Sequence, residues 1–230
     1  MRWAEIANHD MLYHCMRTLK NISKDYLIFA IEATKITVLV PKEILNYKVI
    51  DFRLLGKKLP NQVWHKMKKI LLLSDTHSYI DDAILKHVKQ ADEVWHAGDI
   101  GDLSVTDKIT ALKPLKAVYG NIDDAKARTE FPLHNRFKCE AVDVWITHIG
   151  GYPPKYNSRV KEALQANPPD LFISGHSHIL KVMPDKKLNV LHMNPGAVGK
   201  HGFHKIRTML RFKIDGKNIK DLEVIEFEKR

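Results

Sequence analysis

From residue 67 onward, short apolar runs alternate with amphipathic stretches. Ile70–Leu73 is apolar without a break, which predicts a strand covered on both faces, as in a parallel sheet. Leu171–Ser174 reads as another buried strand, and Val94–Ala97 and Leu115–Tyr119 as short ones. Helices are predicted over Asp82–Val88, over Val105–Leu112 ahead of Pro114, and over Ser158–Gln165, stopped by Pro168 and Pro169. Phe137–Glu140 with Val142–Thr147, and Ile179–Met183 with Asn189–Met193, form strand pairs. So do Arg207–Ile214 and Ile219–Phe227, joined at Asp215-Gly216, a strong hairpin-turn signal. Parallel-looking βαβ units early and antiparallel hairpins late predict the α/β class: a layered αββα sandwich of two mixed β-sheets flanked by helices.

Residues 1–66 have a different character. One amphipathic helix is predicted through Trp3, Ile6, Leu12, Cys15, Met16 and Leu19, followed by β-branched runs at Ile36–Val40 and Tyr47–Phe52. No chemical motif stands out there; His9 and His14, five apart, miss the spacing for one helix face and read as surface residues. The expected division is a 1–66 extension of unknown role and a 67–230 domain that carries the chemistry. Hydrophobic residues at 44% and charged residues at 28% exclude a disordered or fibrous chain. Two cysteines, Cys15 and Cys139, exclude a disulfide scaffold and fit a reducing compartment. Tyr26–Ile31 and Ile36–Val40 fall far short of the roughly 20 apolar residues a membrane span requires. The expected setting is the cytoplasm, without a membrane partner.

The formal net charge of +10 raises nucleic acid as a partner, and its distribution argues against that. Residues 1–66 carry 11 Lys/Arg against 6 Asp/Glu, and residues 67–230 carry 26 against 21, so the longer part is only mildly basic. The cluster Lys66, Lys68 and Lys69 sits at the start of a strand, where solvated edge charge accounts for it.

Polar residues crowd the ends of the buried strands: Ser74-Asp75-Thr76-His77, Gly98-Asp99, Gly120-Asn121-Ile122-Asp123, His148, and Gly175-His176-Ser177-His178. Ligands of open α/β sheets collect outside the carboxyl ends of the strands, so five such ends can converge on one site. In extended chain, residues two apart point the same way, which would let Asp75 with His77, and His176 with His178, each close on a metal from one side. Two carboxylates, four imidazoles and one amide oxygen exceed one tetrahedral ion and suit two ions sharing a carboxylate. Gly98, Gly120 and Gly175 each precede a ligand, where a missing side chain permits close backbone approach.

This ordered set resembles the calcineurin-like metallophosphoesterases, and the compact chain is similar to their small single-domain bacterial phosphodiesterases. The resemblance covers about residues 67–214. It implies one metal held by Asp75, His77, Asp99 and His178, and a second held by Asp99, Asn121, His148 and His176, with Asp99 bridging. Such a pair, about 3.5–4 Å apart, clamps a phosphate and supplies a bridging hydroxide for in-line attack on phosphorus. On this reading Asp75, Asp99, Asn121 and His148 are catalytic, and the chain is a two-metal-dependent phosphodiesterase. Oxygen and nitrogen donors without thiolate suit manganese, iron, zinc, cobalt or nickel; the resemblance favours manganese. Asp123 is a candidate for ordering the ligands, against plain capping of a following helix.

Two positions depart from the family pattern. Ile122 stands where many members carry a histidine that protonates the leaving group, so the general acid is unassigned. Ala197 replaces serine in the Asn194-Pro195-Gly196 turn, which is read as structural. Tyr152, Lys155 and Arg159 follow the His148 loop and are candidates for holding substrate phosphate, against a reading as solvated charge. His192, His201 and His204 have no ligand spacing and are expected to be surface or satisfied core residues. Trp64, Trp95, Trp145 and Cys139 are expected to pack. The partner is a phosphoester of unknown identity. The competing readings are a non-catalytic interaction scaffold on the same fold, as in relatives of membrane-trafficking complexes that have lost ligand residues, and a nucleic-acid phosphodiesterase, which needs a basic track beside the metals.

Met67-Lys68-Lys69-Ile70 has the form of a chain start, and residues 1–66 are expected to lie upstream of the natural one rather than to form an appendage. The intact mass of natively expressed protein should then match a start at Met67; peptides from Ile22–Lys57 in that material would count against it.

Overall fold

The structure, a computed structural model, describes residues 67–228 in full and the backbone of residues 26–31 and 36–41. The predicted helix through Trp3–Leu19, the run Tyr47–Phe52, and His9, His14, Cys15, Trp64 and Lys66 lie outside the described residues. The chain divides into two units, residues 1–63 and 64–230. In the first, β1 (Tyr26–Ile31) and β2 (Ile36–Pro41) pair antiparallel, with Tyr26 opposite Pro41 and Ile31 opposite Ile36.

The second unit is built on two five-stranded sheets. One contains β3 (Lys68–Leu73), β4 (Glu93–His96), β5 (Leu115–Ala117), β13 (Ile206–Asp215) and β14 (Asn218–Glu228), in the order β14-β13-β3-β4-β5. The other contains β6 (His134–Cys139), β7 (Val142–Thr147), β10 (Leu171–Ile173), β11 (Leu180–Asp185) and β12 (Val190–Pro195), in the order β11-β12-β10-β7-β6. Each is mixed: β3, β4 and β5 are parallel, as are β7, β10 and β12, while β13, β14, β6 and β11 join antiparallel. The helices are α1 (Asp82–Gln90), α2 (Ser104–Thr110), α3 (Ala125–Glu130) and α4 (Ser158–Ala166). This is the predicted αββα sandwich.

Strand periodicity explains the layers. Ile70 and Leu72 join Trp95, Ile146, Ile173 and Phe212 in the core between the sheets. Their neighbours Leu71 and Leu73 turn outward to meet Ile84 and Val88 of α1 and Val105 and Ile109 of α2. On the other sheet, Trp145 and Phe172 pack outward against Val160 and Leu164 of α4. Successive side chains of a strand point to opposite faces, so β3, apolar at every core position, must be covered on both. Asp81 and Asn157 cap α1 and α4, their side chains accepting from Ile84 N and Arg159 N.

Local differences from the predicted elements have local causes. β5 ends at Ala117, two residues early, because Tyr119 N donates to Pro132 O at 3.1 Å as the chain leaves the sheet. The short α3 and the two-residue strands β8 (Gly151–Tyr152) and β9 (Lys155–Tyr156) are too brief to show a period. Trp95, Trp145 and Cys139 are buried as expected, and burial pushes the Cys139 thiol up to about 11. His192 is buried as well, but both its ring nitrogens lack a hydrogen-bond partner, so it is not the satisfied core histidine the sequence suggests. Burial, with Lys181 nearby, lowers it to about 4, so the ring is neutral at physiological pH. Among the described residues, no helix is long and apolar enough to cross a membrane.

Phe212 is fully buried and meets the Trp95 ring edge-on at 5.6 Å. Phe212→Ala should cost about 3–5 kcal/mol in urea unfolding, whereas truncating the exposed Lys220 should stay within about 0.5 kcal/mol.

Candidate metal centre

The carboxyl ends of β3, β4, β5, β7 and β10 carry the site. The turns that follow are bonded to one another rather than left to solvent. Asp75 N donates to Gly98 O, His77 N to Asp99 O, Ser78 N to Ile100 O and Gly175 N to His148 O, at 2.8–3.1 Å. Six residues of these turns, Asp75, His77, Ser78, Asp99, His176 and His178, hold positive φ of 45–67°. Such a conformation costs on the order of 1–3 kcal/mol per residue and persists only where surroundings enforce it. The expectation of extended chain at Asp75–His77 and His176–His178 is therefore corrected. Asp75 and His77 do converge, through left-handed turns, whereas His176 and His178 fall into different clusters.

Two clusters result. Ligand atoms of Asp75, His77 and His178 lie within 4.8 Å of one another, as do those of Asp99, His148 and His176. The clusters adjoin at Asp99, whose Oδ1 is 3.1 Å from His148 Nε2 and whose Oδ2 is 3.7 Å from His77 Nε2. His77 Nε2 and His178 Nε2 are 3.3 Å apart, and His178 Nε2 is 3.2 Å from Asp75 Oδ1. Asp75 Oδ1 and His148 Nε2 are buried with no well-formed hydrogen bond, although His178 Nε2 and Asp99 Oδ1 lie 3.2 and 3.1 Å away respectively. Buried lone pairs facing other lone pairs are costly unless a cation lies between them. The donor set therefore fits divalent metal.

Tautomer and charge agree with this. His148 Nδ1–H donates to Ala97 O at 2.8 Å, which leaves Nε2 with its lone pair toward Asp99. Burial lowers His77 and His176 below the ordinary imidazole value, against the pull of Asp99 and Asp75. Burial also opposes charge on His148, but Asp99 and Asp75 outweigh it and raise its pKa. Burial opposes charge on Asp99 too, yet His148, the Ile122 N–H and His77 hold its carboxyl below the usual range.

Asn121 and Ile122 are exposed on the loop after β5, with Ile122 N donating to Asp99 Oδ1 at 3.2 Å. Asn121 borders a cleft together with His148 and Arg159. Tyr152 and Lys155 sit instead on the β8–β9 ribbon, where Lys181 Nζ lies 3.5 Å from the Tyr152 ring centroid. Asp123 is buried and accepts Gly101 N and Gly120 N, each at 2.7 Å, while its neighbour Asp124 caps α3. Gly120 has no room for a side chain: a Cβ there would run into the Asp99 carboxylate. A Cβ at Gly98 would meet His148 Nδ1 at 2.6 Å. Buried Asn194 donates to Gly175 O at 2.8 Å and to Ser177 Oγ at 3.1 Å, pinning the turn that presents His176 and His178.

Sequence reasoning missed His96, His201 and His204 as parts of this neighbourhood. Gly98 N–H donates to His96 Nδ1 at 3.1 Å, so His96 Nε2–H donates to Thr76 Oγ1 at 2.9 Å, and Thr76 donates on to Ile100 O at 2.9 Å. Burial lowers His96 to about 4, so this relay between the two ligand turns stays neutral. The His201 ring lies 4.7 Å from His77, and His204 lies 5.3 Å from His178. Only a histidine closing an apolar strand marked His96; nothing in the spacing marked the other two.

Side chains able to ligate metal are thus gathered at the strand ends of a two-sheet α/β sandwich. Residues 67–217 match the calcineurin-like phosphoesterase superfamily domain, and the chain belongs to that superfamily. A probable metallophosphoesterase of Methanothermobacter thermautotrophicus is 27% identical over 161 residues, covering 67% of this chain and 90% of its own. Among solved structures, Vps29 of Chaetomium thermophilum aligns with a TM-score of 0.56 at 14% identity, over 71% of this chain and 100% of its own. An archaeal phosphodiesterase aligns with a TM-score of 0.51 at 22% identity, over 68% and 99%. At these identities the two structures speak for the fold.

Asp123→Asn should weaken divalent-metal binding about 10–100-fold with the circular dichroism spectrum unchanged, as read by chelator competition. Unaltered affinity would show that Asp123 does not order the ligands.

Proposed function

We propose that the chain is a two-metal-dependent phosphodiesterase. The observation that carries this reading is the position of Asp99. One carboxylate oxygen faces His148 and the other faces His77, so a single side chain adjoins both clusters, as a bridging ligand must. Asp75, His77, Asp99 and His178 would hold one ion, and Asp99, Asn121, His148 and His176 the other. Two divalent ions there would neutralise phosphate charge and supply a water acidic enough to act as nucleophile near pH 7. Manganese suits the donors, as do iron, zinc, cobalt and nickel.

The chain's own groups do the rest. The Ala97 carbonyl fixes His148 with its Nε2 lone pair inward, and the Ile122 N–H orients Asp99. Ile122 offers no proton, so the site favours esters with good leaving groups or diesters over alkyl monoesters; absent acid assistance costs roughly 10²–10⁴ in rate. The orphaned atoms of Asp75 and His148 speak against the scaffold reading, because a protein that only docks partners gains nothing from buried unpaired ligands.

Hydrolysis of bis(4-nitrophenyl) phosphate should depend on added divalent metal and stop with EDTA. Asp99→Asn and His148→Ala should each lower kcat/KM at least about a thousandfold, and elemental analysis should find two ions per wild-type chain. Activity that survives either substitution would sink the assignment.

A further inference from the structure

A cleft of about 200 Å³ opens beside the second cluster, bordered by Tyr119, Asn121, Arg128, His134, His148 and Arg159. No carboxylate is among its lining residues. The larger groove of about 440 Å³ at Lys69, Arg211 and Lys213 differs in this respect, because Arg211 is paired with Glu223 and Lys213 with Asp221. Arg128 is held in place: its Nε donates to Asp123 O at 2.8 Å, its Nη2 to Asn121 O at 3.2 Å, and it lies 5.2 Å from the Tyr119 ring. Arg159 is the second residue of α4, and the first turn of that helix holds no acidic side chain. A cation there opposes the positive end of the helix dipole, an arrangement that an arriving anion relieves.

Resting on the phosphodiesterase reading, we propose that this cleft holds a second phosphate of the substrate. The substrate class is then a small phosphodiester with a phosphomonoester on one arm. The central phosphate sits at the ligand clusters and the terminal one between Arg128 and Arg159, where guanidinium groups match phosphate oxygens in pairs. The size of the cleft sets the limit. Sites for whole small molecules run to about 300–1,000 Å³, and this cleft, at about 200 Å³, matches a single substituent.

The test is calorimetric titration of the full chain at fixed free Mn²⁺ with three probes: ethyl phosphate, ethylene glycol bisphosphate and a 5′-phosphorylated trinucleotide. The bisphosphate should bind at least about tenfold tighter than ethyl phosphate. Arg159→Gln should remove most of that difference while moving ethyl phosphate less than about threefold. Equal affinities for the two small probes, weak or tight, overturn the proposal, as does an equal loss of both in the variant. Tighter binding of the trinucleotide than of the bisphosphate overturns it in favour of a nucleic-acid substrate. Metal-dependent hydrolysis of bis(4-nitrophenyl) phosphate by the same preparation reports on the phosphodiesterase reading separately.

Discussion

The structure is organised around an electrostatic problem that the protein alone does not solve. Two buried carboxylates and four imidazoles converge where β3, β4, β7 and β10 end, and four pairs of their ligand atoms lie 3.1–3.7 Å apart. Such a grouping is unfavourable in a low-dielectric interior unless positive charge is placed among it. Asp99 shows the tension most clearly. It is buried, held ionised by its neighbours, and aimed at both clusters. A divalent cation placed there would offset that charge.

Backbone conformation carries part of the same cost. Left-handed residues at Asp75, His77, Asp99, His176 and His178 turn their side chains inward at positions where a regular strand would carry them past the site. What holds them is a lattice of bonds between turns: Asp75 N to Gly98 O, His77 N to Asp99 O, and the His96–Thr76 relay beneath. Each bond joins ends of different strands, so the register of the sheets and the geometry of the site are the same constraint. Asp123 and Asn194 extend this lattice outward to the loops after β5 and β10. The core between the sheets supplies the rigidity that keeps the lattice in register.

The surroundings are uneven in charge. On the side of His77 and His178, the centre is covered by further imidazoles, His201 and His204. On the side of His148, it opens into a cleft whose charged lining is cationic. An anion approaching the centre therefore meets arginine on one flank and aromatic nitrogen rings on the other. His192, buried on β12 with neither ring nitrogen hydrogen-bonded, belongs to neither flank.

Much of this was legible in the residues alone. An unbroken apolar run such as Ile70–Leu73, repeated between helical stretches, predicts doubly covered strands, and parallel crossovers then gather their polar ends on one side. The glycines before Asp99, Asn121 and His176 announced close backbone approach, because only a residue without Cβ fits against a ligand. Spacing misled at Asp75–His77 and His176–His178, since the backbone states there are enforced by bonds to distant turns and not by local preference. His96, His201 and His204 stayed hidden for the same reason: an isolated histidine acquires a role only from what lies across from it. The sequence by itself thus determined the elements, the layers and which side chains reach the strand ends. Tertiary structure alone decided how those side chains face one another, because that depends on contacts between segments tens to a hundred residues apart.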